Sequence, residues 1–404
     1  MKYVVILGDG MADWPLDELG GKTPLDVAKH PYMDKLAQNG RFGLVQTVPE
    51  GMKPGSDTAN LSVFGYDPRR YYSGRSPLEA ASLGIALAET DVTYRCNLVT
   101  LSQESELEQS TMLDYSAGEI STEEAHELIL FLDRMLSNEK ARLYPGFSYR
   151  HCLVLNEAET GATLTPPHDF TGKPVMGRLP DGQNAMLLRE WMEKAYTRLK
   201  EHPVNRARVA AGKSPANAIW FWGEGRKPAL TPFYEKTGLR GAVISAVDLI
   251  QGIGRCAEME VVKVEGTTGT YETNFAGKAR AAIRALSSGA DYVYVHIEAP
   301  DECGHHGQIR GKIYSIEQID SQILAPVWAY LETSGEDYTI LVLPDHPTPI
   351  EIRTHSSDPV PFAIYRKGNA AGSTLRYTER DAKSTGVRVQ EGYRLIDEMR
   401  KTRN

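Results

Sequence analysis

The chain is poor in cysteine, with only Cys96, Cys152, Cys256 and Cys303 among 404 residues, far apart and with no CxxC pair. That is a weak disulfide framework and fits a reducing compartment. Long apolar runs are missing as well. The N-terminal run extends only from Tyr3 to Leu7 before Gly8, whereas a signal peptide needs an apolar core of about 7–15 residues. No stretch approaches the ~18 apolar residues of a membrane span. The expectation is a cytoplasmic chain with no membrane partner. Positive charge is not in excess either: 45 Lys and Arg stand against 53 Asp and Glu, a formal net of −8. Without a basic stripe, nucleic acid is excluded as a partner. A small anion is not, because a few local cations bind one inside an acidic molecule. Internal repeats, low-complexity tracts and heptads are also lacking. What remains is an ordinary globular composition, 41% hydrophobic and 24% charged, with length for about two or three domains.

Tyr3-Val-Val-Ile-Leu7 followed by Gly8-Asp9-Gly10 reads as a strand buried on both faces of a parallel sheet. Similar runs recur at 292–297, 339–343 and 361–365, separated by helical patterns over 277–286 and 311–333. Alternating strands and helices predict an α/β fold, a mostly parallel sheet with helices on both faces. The middle differs. Alternating stretches at 91–100 and 150–155 surround two helices, one opened by Ser121 with Glu124 as a capping box, the other carrying the stripe Leu187, Trp191, Ala195 and Leu199. This predicts a smaller α+β domain, residues 89–235, inserted into a discontinuous domain of residues 1–88 and 236–404.

Polar clusters gather where such a sheet binds ligands, at the carboxyl ends of its strands. Asp9 follows the first strand, Asp301 with His305 and His306 follows the strand at 292–297, and Asp345-His346 follows the strand at 339–343. His355 lies shortly before the last strand. Carboxylates mixed with imidazoles suit divalent metals of intermediate softness, although strand-end Asp and His residues also cap helices and tie down loops. Pro54-Gly55-Ser56-Asp57 places a serine at the start of a helix. It is either an N-cap or a nucleophile facing an anion at the helix N-terminus.

The motifs Gly8-Asp-Gly-Met-Ala-Asp13, Pro54-Gly-Ser-Asp-Thr-Ala-Asn60 and Gly74-Arg-Ser-Pro-Leu-Glu-Ala80 carry a family resemblance. So do His296-Ile-Glu-Ala-Pro-Asp-Glu-Cys-Gly-His305, Pro344-Asp-His-Pro-Thr-Pro349 and Thr354-His-Ser-Ser-Asp-Pro-Val-Pro-Phe362. Over essentially its whole length the chain resembles the archaeal-type branch of the cofactor-independent phosphoglycerate mutases, within the alkaline phosphatase superfamily. The resemblance implies a phosphatase-like domain with a smaller inserted domain, and a two-metal site. In it, Asp301, His305 and His355 hold one ion, while Asp9, Asp345, His346 and the Ser56 oxygen hold the other. Mn²⁺ is the usual ion implied, with Zn²⁺, Co²⁺ and Mg²⁺ compatible with the same ligand types. The reaction implied interconverts 3- and 2-phosphoglycerate through phosphoserine at Ser56, without 2,3-bisphosphoglycerate. His306 falls outside the family spacing and reads as a loop residue.

Holding a freed glycerate away from water calls for cations and hydrogen-bonding groups in the inserted domain, and for closure of that domain. Arg150, His151, His168, Asp169 and Lys173 are the candidates there, with Lys278 and Arg75 elsewhere; Arg95 reads as structural. The Asp-Gly-Arg-Asp signature of the larger mutase branch is absent, so its substrate contacts do not transfer. Two enzymatic alternatives share the same metal and serine core: a homoserine kinase-like phosphotransferase and a metal-dependent phosphoester hydrolase. A metal-binding protein without activity would leave the serine without a purpose.

Overall fold

A computed structural model describes residues 1–370 and 372–401. The chain forms two compact units, Met1–Tyr72 with Leu230–Asn404, and Ser73–Ala229. The expected boundaries at 88 and 236 thus move to 72 and 229. Residues 73–88 belong with the second unit because the helix Ser76–Ser82 is fastened to its sheet. Ser76 donates its hydroxyl to the Thr93 carbonyl (3.0 Å), and Ala80 packs on Cys152 and Val154. The two ends of the second unit lie side by side: the Ser73 hydroxyl donates to the Arg226 carbonyl at 2.6 Å, and the Arg226 N–H to the Ser73 carbonyl at 3.3 Å.

The first unit is built on an eight-stranded sheet in the order Glu260–Val262, Gly241–Ile244, Tyr292–Ile297, Lys2–Gly8, Tyr338–Leu343, Val360–Arg366, Arg41–Val45, Arg388–Val389. The first five are mutually parallel. Lys2–Gly8 lies between Tyr292–Ile297 and Tyr338–Leu343, with Val4 opposite Val293 on one side and Ile340 on the other. Every residue of these three strands is buried, which is why they read as unbroken apolar runs instead of alternating ones. Helices cover both faces of this α/β sheet.

One strand departs from the parallel reading. Val360–Arg366 runs antiparallel to both Tyr338–Leu343 and Arg41–Val45. Its amino end therefore lies at the same edge as the carboxyl ends of the parallel strands. That reversal places His355, which precedes its strand, beside residues that follow theirs. The pattern expected as one helix over 311–333 is helical throughout: an α-helix Ile309–Gln318 passes through a π-helical segment Ile319–Leu324 into the α-helix Ala325–Thr333. Pro326 accounts for the widened turns: it lacks an N–H, and its ring clashes with the carbonyl four residues back.

The second unit centres on an antiparallel sheet in which Val92–Leu101 is flanked by Arg150–Leu155 and Ala218–Arg226. The helices Thr122–Leu136 and Ala185–Leu199 bury Leu128, Leu132, Leu188, Trp191, Ala195 and Leu199 in its core. Ser121 caps the first helix through the Glu124 N–H (3.3 Å). The Glu124 carboxylate pairs instead with Arg208, a buried guanidinium that also holds the Ser214 carbonyl (2.8 Å) and the Ala117 carbonyl (2.7 Å). A buried cation takes precedence over an exposed backbone N–H.

Candidate metal centre

The residues at the carboxyl edge of the first unit's sheet form two adjoining clusters. Donor atoms of Asp301, His305 and His355 lie within 4.8 Å of one another, as do those of Asp9, Asp301 and His346. Asp301 belongs to both. It sits in the short helix Ala299–His305, in which His305 returns to the same face four residues later. The His305 Nε2 is 3.3 Å from Asp301 Oδ2, and the His355 Nε2 is 3.5 Å from Asp301 Oδ1. The two imidazoles approach each other to 3.0 Å through their Nε2 atoms. His305 Nδ1 faces the Arg353 carbonyl at 3.0 Å, so Nδ1 carries the proton and the Nε2 lone pair points into the cluster.

The second cluster is deeper. His346 Nε2 lies 3.1 Å from Ser56 Oγ, 3.4 Å from Asp345 Oδ2 and 3.6 Å from Asp9 Oδ1. The Thr348 hydroxyl donates to Asp301, leaving its oxygen to accept from His346 Nδ1 at 3.3 Å. This fixes the tautomer with the Nε2 lone pair aimed at Ser56 and the carboxylates. Asp9 Oδ2 receives the His296 Nε2 proton at 2.9 Å, while Asp9 Oδ1 is buried with no hydrogen-bond partner. Burial, with Asp345 and Asp301 adding repulsion, pushes the Asp9 carboxyl well above its ordinary range. Asp301 goes the other way: burial opposes ionisation, but His305 and His355, in the metal-free protein with protons on the nitrogens that face it, hold it well below the usual carboxylate range. A buried acceptor without a donor, ringed by further carboxylates and by imidazole lone pairs, is a donor set that fits divalent cations.

Asp345 stands somewhat apart from the set expected for it. Its Oδ1 accepts the N–H groups of Gly10 (3.1 Å) and His346 (2.9 Å), and its Oδ2 accepts the Asn60 amide (2.7 Å). Three hydrogen bonds leave one of a carboxylate's roughly four lone-pair positions for a cation. Gly10 is required here. It has φ +60°, and a Cβ on it would lie 2.5 Å from Thr348 Oγ1 and 2.7 Å from the Asp301 Cα.

Ser56 opens the helix Ser56–Val63 but makes no capping hydrogen bond; Gly55 occupies the N-cap position. Of the two sequence readings of this serine, the geometry leaves the one in which its hydroxyl faces the cluster. Asn60, one turn on, ties the serine to the site. Its amide donates to the Ser56 carbonyl (2.8 Å) and to Asp345, and the Tyr294 hydroxyl fixes its orientation through Oδ1 (2.6 Å). Asn60, His296 and Thr348 carry no role in the sequence reading. His296 was legible in principle, as an imidazole inside an otherwise apolar strand.

The substrate-contact candidates scatter. Lys278 is wholly buried; its ammonium donates to the His296 carbonyl at 2.8 Å, and burial lowers it to about 8 against the pull of Glu298. It buttresses the strand beneath the site. His151 is likewise a core residue: Nδ1 accepts the Gly146 N–H at 3.0 Å, and burial drives it down to about 3. Asp169 and Lys173 are exposed, and His306 is an exposed loop residue beside Glu302. Arg150 and His168 fare differently. In the second unit, Glu79 is surrounded by Arg95, Arg75 and Arg150, which outweigh its burial and lower its carboxyl. Arg95, expected to be structural, is buried 2.8 Å from Glu79 and stacks on Trp222 at 4.0 Å. The His168 ring meets the same Trp222 edge-on at 5.1 Å. The Arg150 Nε is buried with no hydrogen-bond partner. Three guanidiniums on one carboxylate leave an excess of two positive charges, and with the partnerless Arg150 Nε they make a cradle suited to a small anion.

A serine hydroxyl beside carboxylate–imidazole clusters that fit divalent cations, gathered on the carboxyl edge of this sheet, is the equipment of a metal-dependent phosphotransfer enzyme. A sequence model of the 2,3-bisphosphoglycerate-independent phosphoglycerate mutases matches residues 37–205. A 2,3-bisphosphoglycerate-independent phosphoglycerate mutase of Methanothrix thermoacetophila is 54% identical over 396 residues, 98% of each chain. A probable enzyme of that name from Geobacter sulfurreducens is 49% identical over 99% of both. A Pyrococcus horikoshii protein of known structure superposes with a TM-score of 0.81 at 30% identity, covering 100% of this chain and 98% of that one. The cofactor-independent phosphoglycerate mutase of Thermoplasma acidophilum does so with 0.68 at 27% identity, over 99% of both chains. The chain belongs to the 2,3-bisphosphoglycerate-independent phosphoglycerate mutase family.

Proposed function

We propose that this chain interconverts 3-phosphoglycerate and 2-phosphoglycerate, without 2,3-bisphosphoglycerate, by passing the phosphoryl group through Ser56. The observation that carries this reading is the Ser56 hydroxyl, free of any capping bond and 3.1 Å from His346 Nε2 within the cluster. Asp301, His305 and His355 are the ligands we assign to one ion, and Asp9, Asp345, His346 and Ser56 to the other, with Asp301 near both. Mn²⁺ is the ion assigned; Zn²⁺, Co²⁺ and Mg²⁺ satisfy the same donors. Ions bound there acidify the serine hydroxyl and neutralise charge on the transferring phosphoryl group.

Ser56 Oγ attacks phosphorus, the bond from phosphorus to the 3-oxygen breaks, and the departing oxygen takes up the proton that Ser56 gives up. The 2-hydroxyl of the retained glycerate then attacks phosphoserine. The bond from phosphorus to Oγ breaks, and Ser56 recovers a proton. Nothing is consumed, as an isomerisation requires. Asn60, held by Tyr294, fixes the Ser56 backbone throughout. Arg75, Arg95 and Arg150, with His168 beside them, supply the chemistry for holding a carboxylate, and they replace Lys278 and His151 in that role.

Supplied with Mn²⁺, the purified protein should convert 3- to 2-phosphoglycerate with no bisphosphoglycerate added, and should not transfer phosphate from ATP to homoserine. Turnover in the second assay alone overturns the reading. Arg150→Met should raise the KM for 3-phosphoglycerate about tenfold or more, the worth of a lost charge-assisted hydrogen bond, with kcat little changed. An unchanged KM in steady-state kinetics removes Arg150 from the substrate site.

A further inference from the structure

Beneath the two clusters lies a charged pair that the phosphotransfer steps leave unused. Lys312, on the helix Ile309–Gln318, is wholly buried. Its ammonium spends all three N–H donors inside the protein, on Asp13 Oδ2 at 2.7 Å, the Thr348 carbonyl at 2.9 Å and the Ala12 carbonyl at 3.1 Å. Asp13 is buried too, and its Oδ1 accepts the N–H groups of Trp14 (2.8 Å) and Ile350 (3.2 Å). These contacts join two loops that are far apart in sequence. One follows the first strand and carries Asp9; the other follows Tyr338–Leu343 and carries Asp345, His346 and Thr348. The Thr348 N–H also reaches the Ala12 carbonyl at 3.3 Å, and Met11 and Ala12 each bridge to Pro347.

An ammonium buried this deeply is costly to desolvate, and an apolar pair of similar volume often serves stability as well or better. Stability alone is therefore a weak reason for a charge at this position. Its three acceptors are better explained by what they fix. The Thr348 hydroxyl donates to Asp301 and accepts from His346 Nδ1, so pinning the Thr348 backbone sets a donor from each cluster. Pinning Ala12 and Asp13 sets the loop that begins at Asp9.

We propose that Lys312, paired with Asp13, is a positioning residue for metal binding: it clamps the loops that carry Asp9, His346 and Thr348 at the spacing at which they and Asp301 take up divalent ions. Lys312 touches neither ion nor substrate, and acts through Thr348 and through the loop of Asp9.

The test is Mn²⁺ affinity, measured by calorimetric titration of metal-stripped, full-length protein. Lys312→Met should raise the apparent Kd for Mn²⁺ about tenfold or more, the usual effect of losing a partner that orients a ligand. Asp13→Asn should act in the same direction and keeps the shape of the site should Lys312→Met give no folded protein. Arg208→Met, which breaks a buried ion pair in the second unit, serves as the control: it should lower the thermal midpoint and leave Mn²⁺ affinity unchanged. A lysine variant that loses thermal stability but binds Mn²⁺ as the wild type does overturns the inference and makes the pair merely structural. The inference rests on reading Asp9, Asp301 and His346 as ligands. Wild-type protein that takes up no Mn²⁺ overturns both, whereas wild-type uptake with unaltered variants overturns the clamp alone.

Discussion

Replacing Ser56 with alanine should lower kcat by about 10⁴-fold or more, in line with single removals of a catalytic nucleophile, while the protein stays folded. The second half of that expectation comes from the helix terminus. A serine that capped the helix Ser56–Val63 would cost about 1 kcal/mol on truncation, but Ser56 makes no such bond and Gly55 holds the N-cap position. The change in unfolding free energy should stay within about 0.5 kcal/mol, as for substitutions away from packed features. Asn60 binds the Ser56 carbonyl, not its hydroxyl, and so keeps its partner in the variant. Labelled 3-phosphoglycerate followed by an acid quench should leave phosphate on the wild-type chain and none on Ser56→Ala. Undiminished turnover in the variant would refute the nucleophile.

Stripping metal with a chelator should silence the enzyme and make its thermal midpoint depend on added Mn²⁺. Three carboxylates converge on this site, and the Asp9 carboxyl is pushed upward by burial, Asp345 and Asp301. A bound cation relieves that repulsion in the folded chain only. At a hundredfold excess over Kd the gain is about 2.7 kcal/mol for one ion. Because Asp301 stands in both clusters and His355 in one, Asp301→Asn should weaken uptake of both ions and His355→Ala of one. Titration stoichiometry separates the two outcomes. Full turnover by a preparation shown to be metal-free would sink the two-metal reading.

Much of the first unit was legible because its central strands are buried on both faces, and such strands announce themselves as β-branched runs ended by glycine or acid. The clusters were legible for the same reason: carboxylates and imidazoles that follow such runs have few places to go. Strand direction was not legible. Val360–Arg366 has the composition of its parallel neighbours, and only pairing shows that it is reversed. The contact that brings the Ser56 hydroxyl to His346 spans 290 residues and leaves no local pattern. The surroundings of Arg95 were hidden for a related reason. Its neighbours Glu79, Arg150 and Trp222 come from three other segments, so the positive cradle exists only after the sheet has formed. Lys278 and His151 show the converse, polar residues suggestive in sequence that the interior absorbs.

The side-by-side ends of the second unit, joined through Ser73 and Arg226, bear on the entropy of the whole chain. An unstructured insertion of roughly 160 residues would burden the first unit with a closure cost growing as the logarithm of its length, about 3 kcal/mol more than a connection of a few residues. Once folded, the insertion presents its host with two termini already in register. The first unit, whose clustered Asp9 and Ser56 lie before the interruption and Asp301, His346 and His355 after it, then meets the closure problem of a short loop.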